Sequence, residues 1–501
     1  MSTTTSALTL DAKPIPVPLP ARAPLLGLAL GLGLLFDYFF DGKPIGVSAP
    51  LFALAALAAL VGAGRVLGVR PAGRNLWIVP PYLFFATMLF VRANPLLGVM
   101  NALAALALFG LLLYFYAGGA VDRLGLAGYP AVWGLGGLNL AQRPAPLVGA
   151  TGRAIGSRGR GVELLRILVG ALFAFPLLVV FAALMSSADR VFADYAERVL
   201  RLKFLANWPT WFGHTLVIFA VAWLAAGGLL WALERRAADA APDASAPAGW
   251  FGLVESSTLL VLIDGLFGLF VWVQLRYLFN PEAVWTLPYE DYRTYAREGF
   301  FQLLLISALT MALILGLRRA TARAGRRQEL AFRLLSTLLV GLSLVILASA
   351  LQRLVNWEHA EFYVNTQIRI YVRWWTIWSA VAYGWLLLVL WRWPDRFAIG
   401  GFLCGLGFLA TVDLLNPDAD VAAYNLARRD ELSVRYVELL SDDSVPVLVA
   451  HLPELPETER TRLRNVLGDW LVRNDKDDQD RAWPSFHLAR WRALQALHDG
   501  L

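Results

Sequence analysis

Residues 95–116 read PLLGVMNALAALALFGLLLYFY, 22 positions without a charged side chain. At about 1.5 Å of rise per residue, such a run matches the roughly 30 Å hydrocarbon core of a bilayer. It is continuous rather than alternating, so it reads as a helix and not as a strand of a membrane barrel. Ten further runs share this character, at 24–40, 48–68, 75–91, 163–185, 211–233, 254–279, 298–317, 332–354, 368–391 and 396–415. The expected fold class is therefore all-α: a polytopic helical membrane protein of about 11 transmembrane helices, with lipid as its solvent.

Composition agrees with this reading. Of 501 residues, 58% are hydrophobic and 16% charged, against about a quarter charged in a soluble protein. The 19 Trp suit membrane interfaces, where an apolar ring can keep its N–H wet. The net charge of +6 comes largely from Arg in loops beside the runs, which fits retention of cytoplasmic loops and argues against a nucleic-acid partner. Cys404 is the single cysteine, so no intramolecular disulfide or zinc knuckle can form. No cofactor is expected.

Three regions follow. Residues 1–23 are Thr-rich, then Pro-rich, without the features of a cleaved signal, and read as a disordered cytoplasmic tail. Residues 24–415 form the transmembrane domain. Within it, the Gly-rich stretch 118–161 contains a short apolar segment, 129–140, too short to span and expected to be interfacial or re-entrant. With the N-terminus inside, 19 Lys and Arg fall in the tail and cytoplasmic loops and 9 in the opposite loops. That bias places a multi-pass protein in the cell inner membrane with the N-terminus cytoplasmic and the C-terminus outside.

Residues 416–501 hold 16 acidic and 11 basic side chains and apolar positions at helical spacing. They read as a small polar helical appendage that offers a surface to a protein partner. Asn416-Pro417 suggests an N-cap and first helical position, with a helix to about residue 429. Further helices are expected at 432–440, 445–452, 457–473 and 485–498, with a polar loop at 474–480.

Three segments carry a family resemblance. They are Gln274-Leu275-Arg276-Tyr277-Leu278-Phe279 with Tyr295-Ala296-Arg297-Glu298-Gly299-Phe300-Phe301; Tyr363 with Gln367-Ile368-Arg369-Ile370-Tyr371; and Leu415-Asn416-Pro417-Asp418-Ala419 with Tyr424-Asn425-Leu426-Ala427-Arg428 and Ser441-Asp442-Asp443-Ser444-Val445-Pro446. In this order they resemble the bacterial polytopic membrane family catalogued as domain of unknown function 4173, from about residue 259 to 451. The resemblance implies an integral membrane protein of unassigned function and brings no catalytic residues.

Polar residues inside the runs are the candidate site. Asp264 lies mid-span in Leu262-Ile263-Asp264-Gly265-Leu266, where a carboxylate costs about 2.5–3.5 kcal/mol on insertion scales. It must face protein and be protonated, paired or hydrated; an ion- or proton-binding group and a hydrogen-bonded structural acid are the two readings. Gln274 and Arg276 close that span, and Arg297 opens the next, so the three flank one loop. Arg369 and Arg373 share a helical face at the start of the tenth span, near Glu358, His359 and Glu361, as an anion site or a charge network. Asp37 and Asp41 bracket the end of the first span, where a lipid-linked-substrate enzyme can hold its acid. His214 opens a span after Trp208 and Trp211 and reads as an interface residue, and no two His have metal-ligand spacing, which argues against a metal site. Trp374, Trp375 and Trp378 read as packing. The pairs Gly27/Gly31, Gly64/Gly68 and Gly401/Gly405 have the spacing that lets helices approach. No phosphate-binding or nucleophile motif is present. The leading expectation is a transport or ion-coupled membrane protein; a sensor or assembly subunit using 416–501 and a lipid-linked-substrate enzyme are the alternatives.

Overall fold

A computed structural model of the chain describes residues 18–149, 208–234, 251–278, 289–321, 325–357, 365–393, 396–428, 440–479 and 482–500, with isolated positions at 185 and 436. Its helices are α1 (Leu19–Phe40), α2 (Ser48–Leu67), α3 (Val79–Val91), α4 (Pro95–Phe115), α5 (Gly128–Gln142), α6 (Trp208–Glu234), α7 (Leu253–Leu278), α8 (Tyr289–Ala320), α9 (Arg326–Trp357), α10 (Gln367–Trp391) and α11 (Phe397–Leu415). A 3-10 turn, Gly73–Ile78, leads into α3. The C-terminal part adds α12 (Pro417–Arg428), α13 (Val445–His451), α14 (Glu457–Gln479) and α15 (Leu488–Gly500). No strand forms among the described residues. Ten of these helices are long and apolar enough to cross a membrane, and each corresponds to one expected span. The remaining expected span, 163–185, lies outside the described residues, as do tail residues 1–17 and most of the expected helix 432–440.

Why the chain becomes helical here is a matter of solvent. Each backbone N–H and C=O must find a partner within its own segment once water is excluded. Helix ends are handled locally. Asn94 caps α4, its side-chain oxygen accepting from Leu96 N–H at 3.0 Å and Leu97 N–H at 3.2 Å, with Pro95 in the first turn. Gly68, left-handed at φ 69°, ends α2. α1 begins at Leu19, earlier than the expected tail boundary, and takes in Pro20 and Pro24. Pro20 falls in the first turn, where a missing N–H costs nothing.

The spans divide into two packed groups. One core joins α2–α6 with α11 through Leu60, Phe85, Leu108, Leu111, Leu233 and Val412. A second joins α7–α10 through Leu260, Ile314, Leu339, Tyr383 and Leu386. α10 serves both: Tyr371, Trp374 and Trp378 pack on the first core, while Tyr383, Leu386 and Leu390 belong to the second. The Trp cluster is thus structural mortar. Trp378 donates to Thr411 Oγ1 at 3.1 Å, and Trp375 meets Phe408 edge-on.

Close approaches occur at one member of the expected Gly pairs and at glycines outside them; a Cβ on Gly64 would come within 2.3 Å of the Tyr116 hydroxyl. A Cβ on Gly33 would come within 2.4 Å of Ile218 O, which lets α1 lie against α6. A Cβ on Gly227 would come within 2.2 Å of Leu140 O, which seats α5 on α6. By contrast, Gly27, Gly31 and Gly405 face open space. Spacing alone does not say which side of a helix meets a neighbour.

α5 runs inward beside α6. Tyr129 stacks near Phe402, Trp133 lies on Gly110, and Ala141 O accepts from Trp223 near the middle of α6. At the end of the bundle from which α5 starts, Arg74 reaches Asp122 at 2.6 Å and Arg396 lies 3.8 Å from the same carboxylate. Burial opposes ionisation of Asp122, but Arg74 and Arg396 outweigh it and hold the carboxyl below its ordinary range.

The C-terminal helices build their own core from Ala422, Leu426, Val445, Leu448, Leu463, Leu467 and Leu497. The unit docks on the other end of the bundle. Trp483 donates to Tyr38 Oη at 2.8 Å, Val47 N–H donates to Phe486 O at 2.8 Å, and Phe486 lies against Phe90. α14 runs on to Gln479, so the expected loop 474–480 is helix through nearly all its length. Asn474 stays in the helix by donating to Trp470 O at 2.9 Å, one turn back.

Candidate functional site

Asp264 lies on the buried stripe of α7, with Leu260 one turn before it and Val271 two turns after it. It is 6% exposed, and neither carboxylate oxygen has a hydrogen-bond partner among the described residues. The interior around it is not wholly apolar. Ser307 and Thr310 on α8, Ser336 and Ser343 on α9, and Tyr383 on α10 are all buried in the same four-helix group. Tyr383 donates to Ser307 O, while the Ser307 and Ser336 hydroxyls have no partner among the described residues. Ser349 on α9 donates to Gln274 on α7 at 3.1 Å. α7 and α9 run parallel, so that contact places Asp264 level with residue 339, between Ser336 and Ser343 in height.

None of the other expected site residues whose side chains are described bonds Asp264. Gln274 is ten residues further along α7, about 15 Å by helical rise. Arg276 and Arg297 sit in the backbone of α7 and α8, and their side chains fall outside the description. Arg369 and Arg373 occupy the first two turns of α10, and Arg369 lies within electrostatic reach of Tyr436. Glu358, His359 and Glu361 lie outside the described residues.

A second polar cluster sits where the membrane helices meet the C-terminal unit. Asp418, at the start of α12, is fully enclosed. It accepts from Asn94 Nδ2 at 3.2 Å on both oxygens, from Ser441 N–H at 3.2 Å, from the Ser441 hydroxyl and from Gln367 Nε2. That donor set is what an ionised carboxylate needs. Asp443 accepts from Ala93 N–H at 2.6 Å and pairs with Arg92 at 3.4 Å. Burial pushes the Asp443 carboxyl up, and Ala93 N–H and Arg92 offset part of that rise. Arg92 also donates to Asp413 O at 2.6 Å and Leu414 O at 3.4 Å, closing the exposed carbonyls of the α11 C-terminus. Asn365 and Asn425 tie α10 to α12 by reciprocal bonds: Asn365 N–H donates at 2.8 Å, and Asn425 Nδ2 donates to Asn365 O at 3.0 Å. His487 leans on the same corner; burial holds its imidazole below the usual histidine value, against the pull of Asp443 and Asp442.

Deeper in this corner, Asn101 of α4 donates to Asp413 Oδ1 of α11 at 2.9 Å. Asp413 is a lone acid inside a span, so the argument that singles out Asp264 applies to it equally; its place near the end of the run hid it. Asn101, a polar residue in residues 95–113, is the matching signal on α4.

A third group forms at the same end. His214 Nδ1 lies 2.8 Å from Asp37 and 3.6 Å from Asp41. The interface His is not alone: α1 packing on α6 brings it onto the acid pair, which sequence spacing cannot show. The three ligand atoms lie within 4.8 Å of one another. Asp41 is exposed, and Lys43 projects its own charge toward His214. The group therefore reads as an interfacial charge network.

The family model for a domain of unknown function (DUF4153) matches residues 81–451. The chain belongs to this family. The matched segment runs from α3 to α13 and so includes the Arg92–Asn101 corner, Asp264, Asp413, Asp418 and Asp443. The resembling segments at 259–451 lie inside it, but the family is DUF4153 and not the 4173 family they suggested. Spans α3–α6, upstream of those segments, are part of the DUF4153 unit as well. No curated protein and no solved structure matches the chain.

Proposed function

We propose that this DUF4153 member is an ion-coupled integral membrane protein in which Asp264 holds a proton as part of its working cycle. One observation carries the reading: an acid buried among apolar helices has no partner for either oxygen among the described residues. A structural acid is retained through its hydrogen bonds. A partnerless one is expensive, and an intramembrane ionisable group of that kind marks an ion or proton pathway by default. The unpartnered hydroxyls of Ser307 and Ser336 support a polar route through α7–α10.

The test is reconstitution in vesicles with an internal pH indicator. Wild type should pass protons under an imposed potential, and Asp264→Asn should abolish the flux. A hydrophobic carbodiimide should label Asp264 in the folded protein. Undiminished flux together with an unlabelled Asp264 removes the residue from the mechanism.

The second reading is a sensor or assembly subunit. It is favoured by the separate core and broad docked face of the C-terminal unit. With the amino terminus inside, that unit lies on the outer face; a reporter fused at Leu501 tests the arrangement. A pull-down with the full-length protein that recovers nothing beyond what a chain truncated at 416 recovers would argue against a partner. For the lipid-linked-substrate reading, activity that survives Ala at both Asp37 and Asp41 is the refutation.

A further inference from the structure

We propose that Asn101 and Asp413 form a second proton-binding site, and that its occupancy governs how firmly the C-terminal unit is seated. The site is separate from Asp264: it joins α4 to α11 rather than lying within α7–α10.

Both residues are 0% exposed. Asn101 Nδ2 donates to Asp413 Oδ1, leaving Asp413 Oδ2 and Asn101 Oδ1 without partners among the described residues. These two leftover atoms are both acceptors as drawn. One proton on Asp413 Oδ2 makes it a donor to Asn101 Oδ1, and the acid and amide then close a two-bond ring with every polar atom satisfied. Turning the amide over moves the proton to the other oxygen but does not change the count. The proton comes from water, and its loss leaves a carboxylate with one donor.

Charge at the corner points the same way. Asp418 has a full donor set and Asp443 has Arg92 and a backbone N–H. The guanidinium of Arg92 goes to main-chain oxygens and Asp443, not to the Asp413 side chain. Asp413 is thus the carboxylate with the least compensation, one Asn101 donor and the more distant charge of Arg92, and a poorly compensated buried charge is neutralised rather than tolerated. A hard metal ion is a poorer occupant, since calcium- or magnesium-type ions take about six oxygens or more. The oxygens on hand are Asp413 Oδ2, Asn101 Oδ1 and the nearby Tyr371 hydroxyl.

The charged and titratable neighbours are Arg92 before α4, Tyr371, Arg369 and Arg373 on α10, Asp418 on α12, Tyr436, Asp442 and Asp443, and His487 with Arg490 at α15. Losing the proton adds a negative charge within reach of Asp443, the residue that latches the unit to Arg92 and Ala93. Seating should therefore loosen at alkaline pH. Asp413→Asn, which keeps the shape without the charge, should stay seated.

Infrared difference spectra of the full-length protein in lipid nanodiscs, recorded between neutral and alkaline pH, test the site. One protonated-carboxyl band should vanish in Asp413→Asn, distinct from any band lost in Asp264→Asn. Asn101→Val should shift that band without removing it. Unchanged bands in both Asp413→Asn and Asn101→Val overturn the site. So does a sodium-dependent rise in unfolding temperature that needs Asp413. Hydrogen exchange at one alkaline pH tests the linkage. Ala93 and Ser441 amides should exchange several-fold faster in wild type than in Asp413→Asn; equal rates overturn it. If the Asp264 bands and flux fail while these results hold, only the proposed function falls.

Discussion

The corner at Asp418 and the middle of α7 both bury a carboxylate, yet they solve the cost in opposite ways. Asp418 draws donors from three separate pieces of chain: the α3–α4 turn, the start of α10 and the turn before α13. It works as a rivet, one carboxylate collecting donors from three pieces. Asp264 draws on none of the described residues. A group of that kind adds nothing to stability, which is the ground of the proposal made for it. Asp413 lies between the two, with one donor and one empty oxygen. Counting donors around each buried acid thus separates these three carboxylates where burial does not.

That contrast is open to attack, most strongly at the rivet. Asp418→Ala strands Asn94, Gln367 and Ser441 at once and should cost about 3–5 kcal/mol. Unfolding temperature in detergent is the readout, and a small change would mean Asp418 is not the organising charge. Asn94→Ala removes an N-cap and one Asp418 donor together, for an expected loss of about 1–2 kcal/mol. Asn94→Asp, which caps equally well but repels Asp418, should be worse than Asn94→Ala; the reverse order would say the cap alone matters.

A smaller effect is expected from His487. Burial lowers its pKa, so the undocked state binds more protons. Its contribution is complete above the ordinary histidine value of about 6.5 and declines as pH falls below it. Unfolding temperature should slope down toward acid in wild type and flatten in that window in His487→Gln. Asp443 has the opposite sign: with its pKa raised, its contribution is complete below the ordinary carboxylate value of about 3.9 and is lost as pH rises through its folded value. The smallest change in stability should come from Asp264→Leu, which is expected to be neutral or stabilising while ending proton flux. A loss comparable to that of Asp418→Ala would show that Asp264 is a structural acid after all.

Much of the fold was legible in the chain. Residues 95–116 could only be a helix across lipid, and the ten described spans sit where continuous apolar runs stand. Asp264 was legible for the same reason, because an acid in the middle of such a run must be protonated, paired or hydrated. The Asp413 site was nearly legible, but a residue near the end of a span can pass for an interface group. Nothing local marked His214 as the partner of Asp37, 177 positions away.

The sequence by itself determined which segments enter the membrane, because backbone hydrogen bonding and hydrophobicity act within each run. It also determined that the last part of the chain stays polar. Only the tertiary structure decided which buried acids are paired. Arg92, Asn101, Asp413 and Asp443 are separated by up to 351 positions, and their meeting depends on how α3, α4, α11 and the C-terminal unit pack. Partnering is a property of three-dimensional proximity, and in a low-dielectric interior it is partnering that fixes whether an acid holds a charge or a proton.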